Sequence, residues 1–202
     1  MKNLLLPCPM IERLFTLSPF PAPNLPAILL TGTVLLQQTH LALHYSLTGD
    51  MEEIMMPPVS PYPSRKDELW KATCFEFFLA VKDQPGYWEF NISPSGDWNV
   101  YRMDAYRRIG FRPEIGFLQL PFEMKQGVNG YSLEVAADLT AILPPGEKLE
   151  MGIAAILQTK DGHETYWALS HPGPQADFHV RESFILSLEA QAHPLRRTAP
   201  GG

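Results

Sequence analysis

Cysteine is nearly missing from this chain, which contains only Cys8 and Cys74. Two cysteines are too few for the disulfide framework that stabilises many small secreted domains, although a single bridge stays open at this point. A reduced compartment is the simpler interpretation. The sequence therefore predicts a cytoplasmic protein.

Long hydrophobic runs are also missing. No stretch approaches the ~18 apolar residues of a membrane span. The first ten residues, MKNLLLPCPM, reach Pro7 after a run of three leucines, whereas a signal peptide needs an apolar core of roughly 7–15 residues. We expect neither a membrane partner nor secretion.

Basic residues are in the minority, with 16 Lys and Arg against 22 Asp and Glu and a net charge of −6. Proteins that bind nucleic acids or anionic membranes usually carry a basic stripe, and none is present. We therefore expect no nucleic-acid partner. The chain also lacks coiled-coil heptads, so the sequence favours no particular oligomeric state.

Proline is abundant, at 20 of 202 residues. Because proline cannot donate a hydrogen bond to a sheet, these residues belong in loops between many short strands. The pattern predicts an all-β, antiparallel sandwich of about ten strands in one domain over residues 1–190, followed by a flexible tail at 191–202. One short helical turn is expected at 137–143, capped by Asp138. The expected strands are 10–17, 27–36, 41–47, 73–81, 87–93, 98–105, 114–123, 130–136, 149–159, 165–170 and 183–188.

The stretch EFNISPSGDWNVYR, residues 89–102, reads as a β-hairpin that turns at PSGD. A turn of either two or four residues gives one register, which brings Glu89 opposite Arg102 within reach of an ion pair. The expected pairs are Ser93 with Trp98, Asn91 with Val100, and Glu89 with Arg102.

Residues 74–103 form a predicted three-strand meander with two different faces. An even-length loop at 82–85 places Glu76 on the same face as Glu89 and Asn91. This polar face also carries Arg102, with Tyr87 and Trp98 nearby. The opposite face is the expected core, with Phe75, Phe77, Leu79, Trp88, Phe90, Ile92, Tyr101 and Met103.

The polar face has two interpretations. An ordinary solvated sheet surface with a cross-strand ion pair is common, and it contributes only ~0–1 kcal/mol. Alternatively, aromatic rings beside carboxylate, amide and guanidinium groups suit a sugar, whose C–H faces stack on rings while its hydroxyls need polar partners. The second interpretation predicts a binding site for a carbohydrate or a similar polar molecule.

Three segments resemble the DOMON-like domain proteins, which are related to family 9 carbohydrate-binding modules. They are LWKATCFEFFLA (69–80), YWEFNISPSGDWNVYRMDAYR (87–107) and YWALSHPGPQADFH (166–179), and the resemblance extends over about residues 10–190. It implies a β-sandwich that binds a sugar or haem. For the sugar it implies a clamp of Trp70 and Trp167. Glu76, Glu89, Asn91 and Arg102 are the implied hydrogen-bonding groups, and Trp98 and His171 complete the candidate ligand-binding set.

Other kinds of site stay open as alternatives to a non-catalytic binding module. His171, Asp177 and His179 are a possible metal set, although their spacing matches no standard zinc motif. Met103 and His179 are the pair that would hold a haem, and we expect no cofactor because Met103 is predicted to be a core residue. Glu76 and Glu89 could act as the acid/base pair of a glycosidase if their carboxyl groups lay ~5–9 Å apart.

Overall fold

The computed structural model describes residues 10–107 and 112–189, which contain 12 strands. The predicted tail and Cys8 lie outside these residues. Short 3-10 turns occupy Met51–Glu53, Leu69–Lys71, Leu139–Ala141 and Arg181–Ser183. The strands are β1 (Met10–Pro19), β2 (Ile28–Gln37), β3 (His40–Gly49), β4 (Cys74–Val81), β5 (Tyr87–Ile92), β6 (Trp98–Met103), β7 (Arg112–Pro113), β8 (Phe122–Gln126), β9 (Gly130–Asp138), β10 (Leu149–Gln158), β11 (Glu164–Ala168) and β12 (Leu186–Leu188).

The strands form two antiparallel sheets that are joined through β1, so that all 12 strands are connected. The first sheet has the order β1-β2-β3-β9-β8, and the second has the order β7-β6-β5-β4-β10-β11, with β12 beside β10. Strand β1 pairs with β2 along most of its length, and at its end Ser18 and Pro19 pair with Ala168 and Trp167 of β11. The predicted antiparallel sandwich is confirmed.

The main core lies between the two sheets. Strand β3 alternates between its two faces, and Leu41, Leu43, Tyr45 and Leu47 on the inner face are all buried. The Tyr45 ring packs against Phe75 of the facing sheet at 5.1 Å between centroids, and its hydroxyl donates to the backbone carbonyl of Glu76 at 2.8 Å. This contact joins the core to the strand that carries the candidate acidic residues.

The predicted helical turn is confirmed as a 3-10 turn, in which the Asp138 side chain accepts from the backbone N–H of Thr140. The predicted strand at 114–123 is mostly wrong, because β8 starts only at Phe122. The Glu114 side chain accepts from the backbone N–H of Gly116 at 2.9 Å, which forms a turn there instead of extended backbone. Among the described residues, no helix is long and apolar enough to cross a membrane.

The hairpin between β5 and β6 forms with a register that differs by one residue from the prediction. Its loop is the three residues Pro94, Ser95 and Gly96, closed by a backbone bond from the Ser93 N–H to the Asp97 carbonyl at 2.9 Å. Gly96 has φ of +99°, the left-handed conformation that three-residue hairpin loops need at their last position. The odd loop length pairs Ile92 with Trp98, Asn91 with Asn99, Glu89 with Tyr101 and Trp88 with Arg102.

Candidate functional site

The outer face of the second sheet is covered by the segment 170–185 instead of being solvated. Phe178 and Phe184 of this segment pack on Phe78 of β4 and Tyr87 of β5 to form a second buried cluster. Tyr101 and Met103 belong to this cluster, so their predicted place in the main core is wrong. The interpretation as an ordinary solvated face is wrong as well, because the polar residues of this face are enclosed.

A cavity of about 450 Å³ lies between this face and the covering segment. That volume is within the ~300–1,000 Å³ typical of small-molecule sites. The cavity has three parts: an acidic floor on β4 and β5, aromatic walls, and a polar rim. It is lined by Phe20, Trp70, Glu76, Glu89, Arg107, Ile156, Tyr166, Pro174, Gln175, Ala176, Asp177, Phe178 and His179.

Glu76 and Glu89 form the floor of the cavity. Register places both on one face, since Glu76 pairs with Asn91 and Phe78 pairs with Glu89, as the even-length loop at 82–85 predicts. Glu76 is only 3% exposed, and Glu89 is only 2% exposed. Oε1 of Glu89 accepts a hydrogen bond from Asn91 Nδ2 at 2.8 Å, whereas Oε1 of Glu76 and Oε2 of Glu89 have no hydrogen-bond partner in the described parts of the protein. Buried polar atoms normally have partners, so the unpaired oxygen atoms mark a place for a ligand.

Burial determines the protonation of this floor. It raises the pKa of Glu89 from 4.5 to about 7, although the hydrogen bond from Asn91 and the charge of Arg107 both act to lower it. Burial, and then the negative charge of Glu89, raise the pKa of Glu76 well above its usual value. Desolvation disfavours the charged form of a carboxyl group. Near neutral pH the two groups therefore retain protons that exposed carboxyl groups would have lost.

His179 closes one side of the floor. Its Nδ1 lies 2.9 Å from the Tyr87 hydroxyl, and its Nε2 lies 3.9 Å from Oε2 of Glu89. Burial, followed by the charge of Arg107, lowers the pKa of His179 to about 4. The imidazole is therefore neutral near pH 7, and it contributes no positive charge to the cavity.

Arg107 and Asp177 form the polar rim. The guanidinium of Arg107 donates to Oδ1 of Asp177 at 3.1 Å, and the Tyr106 hydroxyl donates to Oδ2 at 2.6 Å. Partial burial raises the pKa of Asp177, but the bonds from Tyr106, the His179 N–H and Arg107 outweigh it and hold the pKa below its usual range. Asp177 is therefore ionised, and it largely balances the charge of Arg107.

Trp70 and Tyr166 are the aromatic residues of the cavity walls that offer a ring for a ligand to stack on. The 3-10 turn at Leu69–Lys71 leaves Trp70 partly exposed, with its ring edge-on to Tyr101 at 5.9 Å. Tyr166 lies on β11, partly exposed, and its hydroxyl donates to Glu164 at 2.6 Å. A partly exposed ring face suits the apolar face of a ligand.

The predicted clamp of Trp70 with Trp167 is wrong in its second member. Trp167 is 3% exposed in the main core, where its indole N–H donates to Thr165 Oγ1 at 2.9 Å. Successive residues of a strand point to opposite faces, so its neighbour Tyr166 reaches the cavity instead. Trp98 is also buried in the main core, beneath the guanidinium of Arg65 at 4.4 Å. Its predicted place beside the ligand is therefore wrong.

Arg102 is exposed on the face opposite to the cavity, where it lies over the Trp88 ring at 5.7 Å. The predicted Glu89–Arg102 ion pair is wrong because of the register. Asn91 shares the face of Glu76 and donates a hydrogen bond to Glu89, but it does not line the cavity. His171 lies behind the wall, where its Nε2 lies 2.9 Å from the Ser18 carbonyl and its ring packs on Phe20.

The alternative metal set is not assembled. Within residues 10–107 and 112–189, no three His, Cys, Asp or Glu side chains are grouped so as to hold a metal ion. Met103 and His179, the pair that would hold a haem, do not both line the cavity. His179 lines the cavity, but Met103 is packed inside the second cluster and does not reach it.

Several residues of the site were missed at the level of sequence. Tyr166 could have been found from the alternation of β11, which places adjacent residues on opposite faces. Asp177 and His179 were considered only as metal or haem ligands. Phe20 and Arg107 follow strands in irregular segments, where no periodicity indicates which way a side chain points.

No known protein family matches the sequence, and no curated protein matches it. Similar solved structures include a Bacteroides uniformis protein provisionally named as carbohydrate-binding, with a TM-score of 0.65 and 13% identity over 86% of this chain and 84% of the other. Another is a family 9 carbohydrate-binding module from Caldicellulosiruptor kristjanssonii in complex with cellotriose, with a TM-score of 0.53 and 10% identity over 94% and 88%. The chain shares their fold. The DOMON-like resemblance stays a prediction.

Proposed function

We propose that this protein is a non-catalytic module that binds a small carbohydrate or a similar polyhydroxylated molecule in the cavity above Glu76 and Glu89. One observation carries the proposal: two buried carboxyl groups that line a cavity with aromatic walls each have an oxygen atom without a hydrogen-bond partner. An unpaired buried polar atom costs ~1–3 kcal/mol, and a ligand hydroxyl at that position would remove the penalty.

The chemistry of the cavity suits such a ligand. Carboxyl groups accept hydrogen bonds from hydroxyls, and a protonated carboxyl can also donate one. Trp70 and Tyr166 offer ring surface for the C–H faces of a sugar. Fold likeness to a module in complex with cellotriose supports a sugar as the first ligand class to test.

The glycosidase alternative that uses Glu76 and Glu89 stays a prediction. A retaining or inverting enzyme needs one carboxyl group that is protonated and one that is ionised. In this cavity burial raises the pKa of both Glu76 and Glu89, and Glu89 is the one with a side-chain hydrogen bond to oppose the shift. The absence of a cofactor and the cytoplasmic location expected from the sequence stay predictions.

Titration with a panel of monosaccharides and disaccharides tests the proposal. Of the four tryptophans, Trp70 is the one that lines the cavity, so binding should change the intrinsic fluorescence. Trp70→Ala should weaken binding severalfold, up to about tenfold, given ~0.5–1.5 kcal/mol for a lost aromatic contact. Tyr62→Ala, an exposed aromatic on the preceding loop, is the matched control. The proposal fails if no sugar binds at millimolar concentration, or if Trp70→Ala binds as well as the wild type.

A further inference from the structure

Acidic side chains outnumber basic ones among the ionisable groups that line the cavity. Three carboxyl groups, Glu76, Glu89 and Asp177, face one guanidinium, that of Arg107. Asp177 already pairs with Arg107 at 3.1 Å, and neutral His179 supplies no positive charge. Among the described residues that line the cavity, no cationic side chain is therefore left to pair with the two carboxyl groups of the floor.

We infer that the natural ligand carries an ammonium group, as an amino sugar does, and that this group binds against the unpaired oxygen atoms of Glu76 and Glu89. The inference rests on the proposed function and makes the ligand class more specific. An ammonium group has three donors and no acceptor, so it matches the two carboxyl oxygen atoms that have no hydrogen-bond donor.

The enclosure of the floor strengthens this match. Charge-assisted hydrogen bonds are roughly twice as strong as neutral ones, and they gain further in a site from which water is excluded. The walls add to the effect, because the faces of Trp70 and Tyr166 attract a nearby cation through their ring quadrupoles.

A protein-held metal ion is the competing source of positive charge. Hard cations such as Ca²⁺ take six to eight oxygen ligands, typically from several carboxylates and carbonyls. Within the described parts of the chain, no group of three acidic, His or Cys side chains is placed to hold an ion. An organic cation is therefore the better fit to this floor.

Protonation supplies an independent signature. Burial raises the pKa of both floor carboxyl groups, so the empty site retains protons near neutral pH. An ammonium ligand favours the ionised carboxylates and should drive a proton into solution. A neutral sugar has no such effect.

Matched pairs of probes test the inference: glucosamine against glucose, galactosamine against galactose, and mannosamine against mannose, measured by isothermal titration calorimetry near pH 7. We expect the amino member of at least one pair to bind at least tenfold more tightly than its neutral partner. Titration in two buffers of different ionisation enthalpy should show proton release for the amino sugar alone. The N-acetylated sugars, which have the amide without the charge, should bind no better than the neutral ones.

Charge-removing variants keep the test specific to the floor. Glu76→Gln and Glu89→Gln preserve volume while removing one negative charge, and the ratio of amino to neutral affinity should fall at least threefold in each. Glu52→Gln, which changes an exposed glutamate, is the control for net charge. If a floor variant does not fold, proton release by the wild type still decides the matter.

Two results would overturn the inference in different ways. Neutral sugars that bind as tightly as amino sugars, or amino sugars that bind without proton release, would contradict the ammonium group while leaving the proposed function intact. Failure of every probe in both series would overturn the proposed function and the inference together.

Discussion

Glu89→Gln should make the protein more stable at neutral pH and leave its stability nearly unchanged in mild acid. Gln retains the acceptor for Asn91 and the side-chain volume, but it cannot ionise. In the wild type, burial raises the pKa of Glu89 from 4.5 to about 7. Because each pH unit is worth ~1.4 kcal/mol, the difference corresponds to about 3 kcal/mol.

The sign follows from proton binding. Above pH 4.5 an unfolded chain loses the Glu89 proton while the folded protein keeps it, so folding becomes less favourable until the pH passes about 7. The wild type therefore carries a penalty that grows between these pH values, and the Gln variant lacks it. Removing Glu89 also removes a negative charge that raises the pKa of Glu76, which acts in the same direction.

Urea denaturation at several pH values between about 4.5 and 8 measures this effect. The free energy of unfolding of the variant should exceed that of the wild type by about 3 kcal/mol more at the upper pH than at the lower pH. Glu52→Gln, which changes an exposed carboxyl group, should show no such change with pH. A difference between Glu89→Gln and the wild type that is constant across this range would refute the account of the buried floor.

Other variants should separate structural residues from binding residues. His179→Asn should gain stability relative to the wild type as the pH falls from 6.5 towards 4. The reason is that burial lowers the pKa of His179 to about 4, so the folded wild type resists a protonation that the unfolded chain accepts. A difference in unfolding free energy that does not change with pH would contradict this prediction. Trp167→Ala should cost ~3–5 kcal/mol of unfolding free energy, since it empties a core position, and Trp70→Ala about 1–2 kcal/mol; equal losses would contradict the assigned places. Arg102→Ala should cost ~0.5–1 kcal/mol of unfolding free energy and leave the sugar affinity unchanged. Weaker sugar binding by this variant in titrations would show that Arg102 belongs to the binding site. Protein expressed with ample haem should show no Soret band, whereas a stoichiometric band lost in Met103→Ala would contradict the packing of Met103.

The acidic floor could be predicted because it depends on two local features. Alternation within β5 places Glu89 and Asn91 on the same face of that strand, and alternation within β4 determines the face on which Glu76 lies. The even-length connection at 82–85 then fixes the parity between the strands, so that the same face of both carries the acids. Neither step requires knowledge of distant contacts.

The hairpin at 93–97 shows how a single residue can mislead. Even turns of two or four residues were considered, whereas Gly96 in the left-handed conformation closes a loop of three. A shift of one residue moves every side chain of β6 to the other face. This exchange of faces explains why Trp98, Arg102, Tyr101 and Met103 all lie on the face opposite to the predicted one. The glycine at the third loop position is the sequence signal that indicates the three-residue loop.

The walls and rim of the cavity were beyond such reasoning. Asp177, Phe178 and His179 belong to an irregular segment that folds back over the sheet, so their directions depend on tertiary contacts such as the bond between the His179 ring and the Tyr87 hydroxyl. Trp167 was misplaced for a different reason. A tryptophan next to a loop is equally compatible with a rim and with the core, and only the pairing of β11 decides between them.

Strand β1 has a consequence for how the protein acquires its structure. Met10–Leu17 pairs with the neighbouring β2, but Ser18 and Pro19 pair with β11, which lies near the other end of the described chain. Contacts between residues so far apart in sequence are slow to form, because a long loop must close before they are made. We therefore expect the first hairpin to form early and the two sheets to be joined late. Phe20, which follows β1 and bonds to Tyr166 through its backbone N–H at 2.7 Å, would take its place in the cavity wall during that last step.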